Sequence, residues 1–163
     1  MKQFIYTLEH IYTDEDHTAI KLLGFFDDLT KLGKIRDKAL EFPGFRDYPD
    51  GFLIIKKELN KVQWKNGFNS VIGEVGRDYV PEKDEINTDV YVVQNLTTIF
   101  NVSHIYTIDR YLDDERIIGV FSSLEKVEHN VAKLKQQPGF KEHPEDFMIC
   151  EIELNRLLWT SGF

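Results

Sequence analysis

The sequence predicts an α+β fold made of two ββαβ repeats. Each repeat is an antiparallel sheet covered by a helix. The two pack about a pseudo-twofold axis, with an extra strand in the connector between them. Two observations carry this expectation. The stretch Pro43-Gly44-Phe45-Arg46-Asp47-Tyr48-Pro49-Asp50-Gly51-Phe52 returns as Pro138-Gly139-Phe140-Lys141-Glu142-His143-Pro144-Glu145-Asp146-Phe147, 95 residues later. Around each copy, runs rich in aromatic and β-branched residues flank one stretch of helical periodicity. At the same offset Gly24, Phe26, Leu29, Pro43, Gly44, Phe45, Pro49, Phe52, Ile54, Glu58, Leu59, Asn60, Trp64, Gly67 and Phe68 meet identical residues. Most of these are apolar, glycine or proline, so they describe a fold. Glu58 and Asn60 are polar exceptions, and a structural hydrogen bond near a strand end explains them better than chemistry does.

The organisation that follows is a first repeat over 1–68, an acidic connector over 69–103 and a second repeat over 104–163, together one compact unit. In the first repeat, Phe4 to Tyr12 reads as a strand and Thr13 to Thr18 as a turn. Ile20 to Phe26 is the returning strand of a hairpin. Asp27 or Asp28 can cap the next helix, whose apolar face is Leu29, Leu32, Ile35, Ala39 and Phe42. Proline then glycine ends the helix, and the loop pinned by Phe45 and Phe52 leads to a third strand, Phe52 to Leu59. Trp64 and Phe68 are placed to close over the core.

The second repeat starts at His104, turns through Asp113-Asp114-Glu115-Arg116 with about five fewer residues than the first hairpin, and returns as Ile117 to Phe121. Ser122 with Glu125 reads as a capping box before a helix with Leu124, Val127, Val131 and Leu134 inward. Phe147 to Leu154 is its third strand, and Trp159 and Phe163 repeat the closing residues. Within the connector, Gly73 to Glu85 reads as exposed loop. Val90 to Gln94 and Thr97 to Phe100 read as strand that covers a sheet edge. A single repeat of about 65 residues is marginal alone, which is the reason to expect the two copies to pack together.

Composition narrows the function. The chain has 163 residues, a formal charge of −8 and one cysteine. The charge is uneven: net 0 over 1–68, −4 over 69–103 and −4 over 104–163. Direct nucleic-acid binding is therefore not expected. No apolar run approaches the length that spans a bilayer, and the start of the chain turns charged too early for a signal peptide. These point to a soluble, cytoplasmic protein. Cys150, flanked by Met148, Ile149 and Ile152, reads as a buried strand thiol.

Catalytic signatures are missing. The five histidines His10, His17, His104, His129 and His143 show no metal-site spacing, although His104 and His143 can approach each other in the fold. There is no phosphate-binding glycine loop and no nucleophile elbow. Carboxylate pairs such as Asp27/Asp28 fall at turns and helix starts, where they cap and solvate. No catalytic residue, cofactor or metal is expected.

Ile105-Tyr106, Ile118-Gly119-Val120-Phe121-Ser122-Ser123, the Pro138 to Phe147 loop and Glu153-Leu154-Asn155 through Trp159 and Gly162-Phe163 together resemble a small family of uncharacterised bacterial proteins. The first repeat departs at the helix start, where Asp27-Asp28 replaces Ser-Ser. The resemblance implies the ββαβ fold and an association with immunity partners of secreted toxins.

Two functions remain. The first is an acidic immunity or inhibitor protein, a monomer or weak dimer, that blocks a cationic toxin domain such as a nuclease. Its expected contacts are Asp78, Tyr79, Glu82, Asp84, Glu85, Asp113, Asp114 and Glu115, since acids beside an aromatic anchor can mimic substrate phosphates and steer association. The alternative is a small-molecule-binding or enzymatic domain with a pocket between the repeats, lined by Tyr6, Tyr12, Tyr106, Tyr111, Trp64 and Trp159.

Overall fold

The structure, a computed structural model, describes residues 2–67 and 96–163. The first repeat contains β1 (Phe4–Thr13), β2 (Thr18–Phe26), α1 (Leu29–Ala39), a short 3-10 turn (Pro49–Gly51) and β3 (Phe52–Glu58). The second contains β4 (Thr98–Asp109), β5 (Leu112–Phe121), α2 (Leu124–Leu134) and β6 (Phe147–Glu153). Each set of three strands forms its own sheet, ordered β2-β1-β3 and β5-β4-β6. Two antiparallel sheets, each with one helix, make the α+β fold that the repeat predicts. Among the described residues no helix is long and apolar enough to cross a membrane.

The helices begin and end for the same reasons in both copies. Asp28 caps α1 by accepting from the Lys31 N–H, and Ser123 caps α2 by accepting from the Lys126 N–H. Each cap satisfies an amide donor that the first helical turn leaves free. The capping box expected from Ser122 and Glu125 does not form: Ser123 is the N-cap, Lys126 stands three residues later, and Ser122 bonds to Asn60. After each helix comes a glycine with positive φ, 84° at Gly44 and 81° at Gly139, a conformation that costs residues with a Cβ. Leu32 and Ala39 of α1, and Val127, Val131 and Leu134 of α2, are buried as their spacing predicts. Leu29 and Leu124 are about half exposed, since each sits on the first helical turn above the sheet's reach. The core of the first repeat gathers Leu8, Leu23, Phe26, Leu32, Ala39 and Phe45. That of the second gathers Val102, Ile118, Phe121, Val127, Val131, Leu134 and Phe140.

Strand registers correct the reading of the second hairpin. His10-Ile11-Tyr12-Thr13 matches His104-Ile105-Tyr106-Thr107 at an offset of 94, not 95. A register shift follows Leu8 in one hairpin and Val102 in the other, where these residues face Gly24 and Gly119. From histidine to final phenylalanine the second hairpin is therefore one residue longer than the first, while its turn, Arg110-Tyr111, is shorter than Asp14 to His17 by two residues and not by about five. Asp113, Asp114, Glu115 and Arg116 lie within β5, paired with Thr107, Tyr106, Ile105 and His104. The run of charge suggested a turn, but an edge strand tolerates charge on a solvated face. Thr98 to Phe100, expected as connector strand, are the first residues of β4. Val90 to Gln94, the rest of that expectation, lie outside the described residues, as does Phe68.

The compact units do not follow the repeat boundaries. One contains 2–58, 96–98 and 153–163 of the described residues; the other contains 59–67 and 99–152. The closing segment of each repeat thus completes the other unit. In the first unit Asn155 donates its backbone N–H to the Phe25 carbonyl at 2.7 Å, Leu158 to Leu23 at 2.8 Å and Gly162 to Pro43 at 2.8 Å. In the second, Asn60 donates to Val120 at 2.7 Å, Gln63 to Ile118 at 2.8 Å and Gly67 to Pro138 at 2.9 Å. The bonds match position for position. Trp64, expected to close its own repeat, packs with Val62 against the core around Val127 and Phe140.

This exchange explains the repeated residues. Asn60 and Asn155 hold positive φ, 64° and 62°, at the points where the chain leaves β3 and β6. A Cβ on Gly24 would lie 2.5 Å from the Arg156 carbonyl oxygen, and one on Gly119 would lie 2.5 Å from that of Lys61. Lys21 sits 4.9 Å from the Trp159 ring centre, and Arg116 sits 5.1 Å from that of Trp64. Both cations also donate to carbonyls of the closing segment: Lys21 to Ser161 and Gly162, and Arg116 to Asn66. The identities Gly24, Asn60, Trp64 and Gly67 at offset 95 thus record docking of the segments.

Candidate partner-binding site

The β4–β5 hairpin projects acid and aromatic surface from its turn. Asp109 Oδ1 accepts the Tyr111 N–H at 2.8 Å, an Asx-type turn that fixes the backbone at the tip. The Arg110 guanidinium lies 5.6 Å from the Tyr111 ring centre. Tyr111 itself is 87% exposed and Ile108 is 44% exposed. An aromatic side chain so exposed is a ready anchor for a protein surface, because it brings large area with few rotatable bonds.

Strand alternation divides the three acids that follow. Asp114 lies on the face of Tyr106 and His104 with Arg116, and its Oδ2 accepts from Arg116 Nε at 3.1 Å. Arg116 is 8% exposed, so Asp114 balances a buried cation. Asp113 and Glu115 lie on the opposite face, are exposed, and pair with no cation among the described residues. Of the eight expected contacts, then, Asp113 and Glu115 are exposed on the hairpin that carries Tyr111 at its turn. Asp114 is committed to the fold. Asp78, Tyr79, Glu82, Asp84 and Glu85 lie outside the described residues.

Tyr111 was legible as an aromatic but not as the tip. Its role depends on the two-residue turn Arg110-Tyr111, which only the pairing of Asp109 with Leu112 creates. The other aromatics named for a pocket have separate surroundings. Tyr12 stacks on Phe163, with ring centres 5.7 Å apart, and meets Tyr48 at 4.7 Å. Trp159 lies beside Lys21, Trp64 beside Arg116, and Tyr6 packs on the core of the first unit.

The histidines fill equivalent core positions. The Nε2–H of His10 donates to the Tyr48 carbonyl, and that of His104 donates to the His143 carbonyl, each at 2.8 Å. Phe45 and Phe52 enclose His10, and Phe140 and Phe147 enclose His104, with ring centres 4.8–5.0 Å away. The expected approach of His104 to His143 is thus made through a backbone carbonyl. Among the described residues, no group of three or more His, Cys, Asp or Glu could hold a metal ion. Cys150 is exposed, not buried, because β6 is the outer strand of its sheet.

Other titratable groups report local structure. Hydrogen bonds from the Asp16 and His17 N–H groups hold the Asp14 carboxyl below its ordinary range. The Lys31 N–H does the same for Asp28. Burial raises Glu9, partly offset by the Lys57 charge, and burial lowers Lys57.

Residues 88–163 match a family described as a domain of unknown function, DUF7336. The match takes in the second repeat, its closing segment and the end of the connector. No curated protein and no solved structure matches the chain.

Proposed function

We propose that this protein is a binding protein of the inhibitor or immunity type, and that it docks on a basic protein domain through the tip of the β4–β5 hairpin. The observation that carries the reading is Tyr111, 87% exposed between Asp109 and Asp113 on a turn braced by its own hydrogen bond. An exposed aromatic supplies the buried area at the centre of an interface, and the surrounding carboxylates select a cationic partner and speed encounter. The net −4 carried by residues 104–163 extends that field. The resemblance to immunity proteins makes a secreted toxin domain, a nuclease above all, the partner class to test.

Co-expression with the product of the neighbouring reading frame, followed by titration of the purified pair, tests the proposal. Wild-type protein should bind with an affinity that falls as salt rises. Tyr111→Ala should weaken binding at every salt concentration, whereas Asp113→Asn with Glu115→Gln should weaken it mainly at low salt. Binding that ignored all three changes would refute the hairpin as the contact.

A second reading rests on a position in the proline loop where the copies differ. Tyr48 of the first repeat becomes His143 in the second, whose ring centre lies 4.2 Å from that of Tyr106 and whose Nδ1 lies 3.7 Å from Asp146. An imidazole and a carboxylate this close offer a small polar ligand a donor and an acceptor side by side. Loss of a small-molecule heat of binding in His143→Ala, with partner binding intact, would favour this reading over the first.

A further inference from the structure

We propose that the segment 153–163 is an exchangeable ligand of the unit it completes, and that the same segment from a second copy of this chain can take its place. The docking site is the outer edge of β2 together with the Pro43-Gly44-Phe45 turn. Three backbone N–H groups of the segment donate to the carbonyls of Phe25, Leu23 and Pro43 and set its register, Leu157 packs on the core and Lys21 closes over the end. The chain displays this recognition twice. The segment 59–67 makes the matching bonds on β5, so one peptide chemistry, Leu-Asn followed by Trp-x-x-Gly, fits a site present in both units.

The two docked segments are not held equally. In the second unit the clasp is Arg116, 8% exposed and bonded to Asp114, and Trp64 packs against the core. In the first unit the clasp is Lys21, and Ala19 stands where Asp114 would be. Trp159 is 48% exposed, with Leu158 at 41% and Phe163 at 38%. An ammonium lacks the planar fork that Arg116 offers to a carboxylate and a carbonyl together. The segment 153–163 is therefore the one poised to leave, and the vacated edge of β2 would then present unpaired backbone groups to the matching segment of another copy. Reciprocal exchange joins two chains without any new interface chemistry.

The test uses the full chain and a fluorescently labelled peptide with the sequence of residues 153–163. Anisotropy should rise saturably on addition of the protein, and unlabelled peptide should reverse it. Peptides carrying Asn155→Ala or Leu157→Ala should bind roughly tenfold more weakly or worse, whereas Thr160→Ala should bind as wild type. In the protein, Leu157→Ala should tighten apparent peptide binding because it weakens the tethered competitor, whereas Arg116→Met should leave it unchanged. Absence of saturable binding, or binding indifferent to Asn155 and Leu157, would overturn the proposal; because those changes are in the peptide, protein misfolding cannot mimic either result.

Discussion

The side-chain oxygen of Asn60 accepts the backbone N–H of Ser122 at 2.8 Å, across 62 residues of sequence. Asn155 makes the equivalent bond to Asp27 at 3.3 Å. Asparagine suits both needs of these crossing points, because it tolerates positive φ and carries an acceptor of the right reach. Asn60→Ala should cost about 2–3 kcal/mol, combining a lost hydrogen bond with a strained backbone. Asn60→Gly keeps the backbone and should cost about 1 kcal/mol less. Urea unfolding of the two variants measures the difference, and equal losses would remove the backbone part of the explanation.

Glycines separate docking from helix propensity. Gly119→Ala drives a methyl toward the Lys61 carbonyl, a backbone atom that cannot rotate away, and should destabilise by about 1–3 kcal/mol. Gly33 lies inside α1 with nothing within 4 Å of an added Cβ. Gly33→Ala should stabilise by about 1 kcal/mol. Thermal unfolding of both proteins should give shifts of opposite sign.

The acid limb of the stability profile has opposing contributions. Asp14 and Asp28 have lowered carboxyl pKa values in the folded protein. Their contribution is present above the ordinary carboxylate range and is lost as pH falls through the lowered values. Glu9 is raised by burial, so its contribution is complete at low pH and is lost as pH rises through its raised value. Asp28→Asn should flatten the loss of stability on acidification. Glu9→Gln should raise stability near neutrality relative to acid. Denaturant midpoints measured from pH 3 to 8 on the two variants check both signs.

At the hairpin, the division of acids between two faces predicts divergent behaviour. Asp114→Asn removes the partner of a buried guanidinium and should lower stability by about 1–3 kcal/mol. Asp113→Asn and Glu115→Gln should leave stability within about 0.5 kcal/mol and alter only partner association. Unfolding and binding measured on the same three proteins distinguish these roles.

Much of the fold was legible because the repeat supplies its own alignment: strands, helices, caps and the turn at Gly44 follow from residues that recur. The asparagines, too, were legible as structural. The exchange of closing segments was not, since Trp64 fits either core by size and hydrophobicity, and an identical partner position exists in both repeats. The hairpin was misplaced for a related reason. Aligning the repeats at one offset hides the single extra residue between His104 and Phe121, and a run of three acids looks like a turn until Arg116 is seen to need Asp114. Exposure of Tyr111 follows from that register, so no reading of composition could place it.

The exchange is the premise on which the repeated residues are assigned to architecture and the hairpin is left as surface for a partner. The most direct measurement is a methyl-edited NOE spectrum recorded from the Trp64 indole. The account predicts cross-peaks to methyls of the second unit's core, among them Val102, Ile118 and Val127. Cross-peaks instead to Leu8, Leu23 and Leu32 of the first unit's core would mean that each repeat closes on itself, and would contradict it.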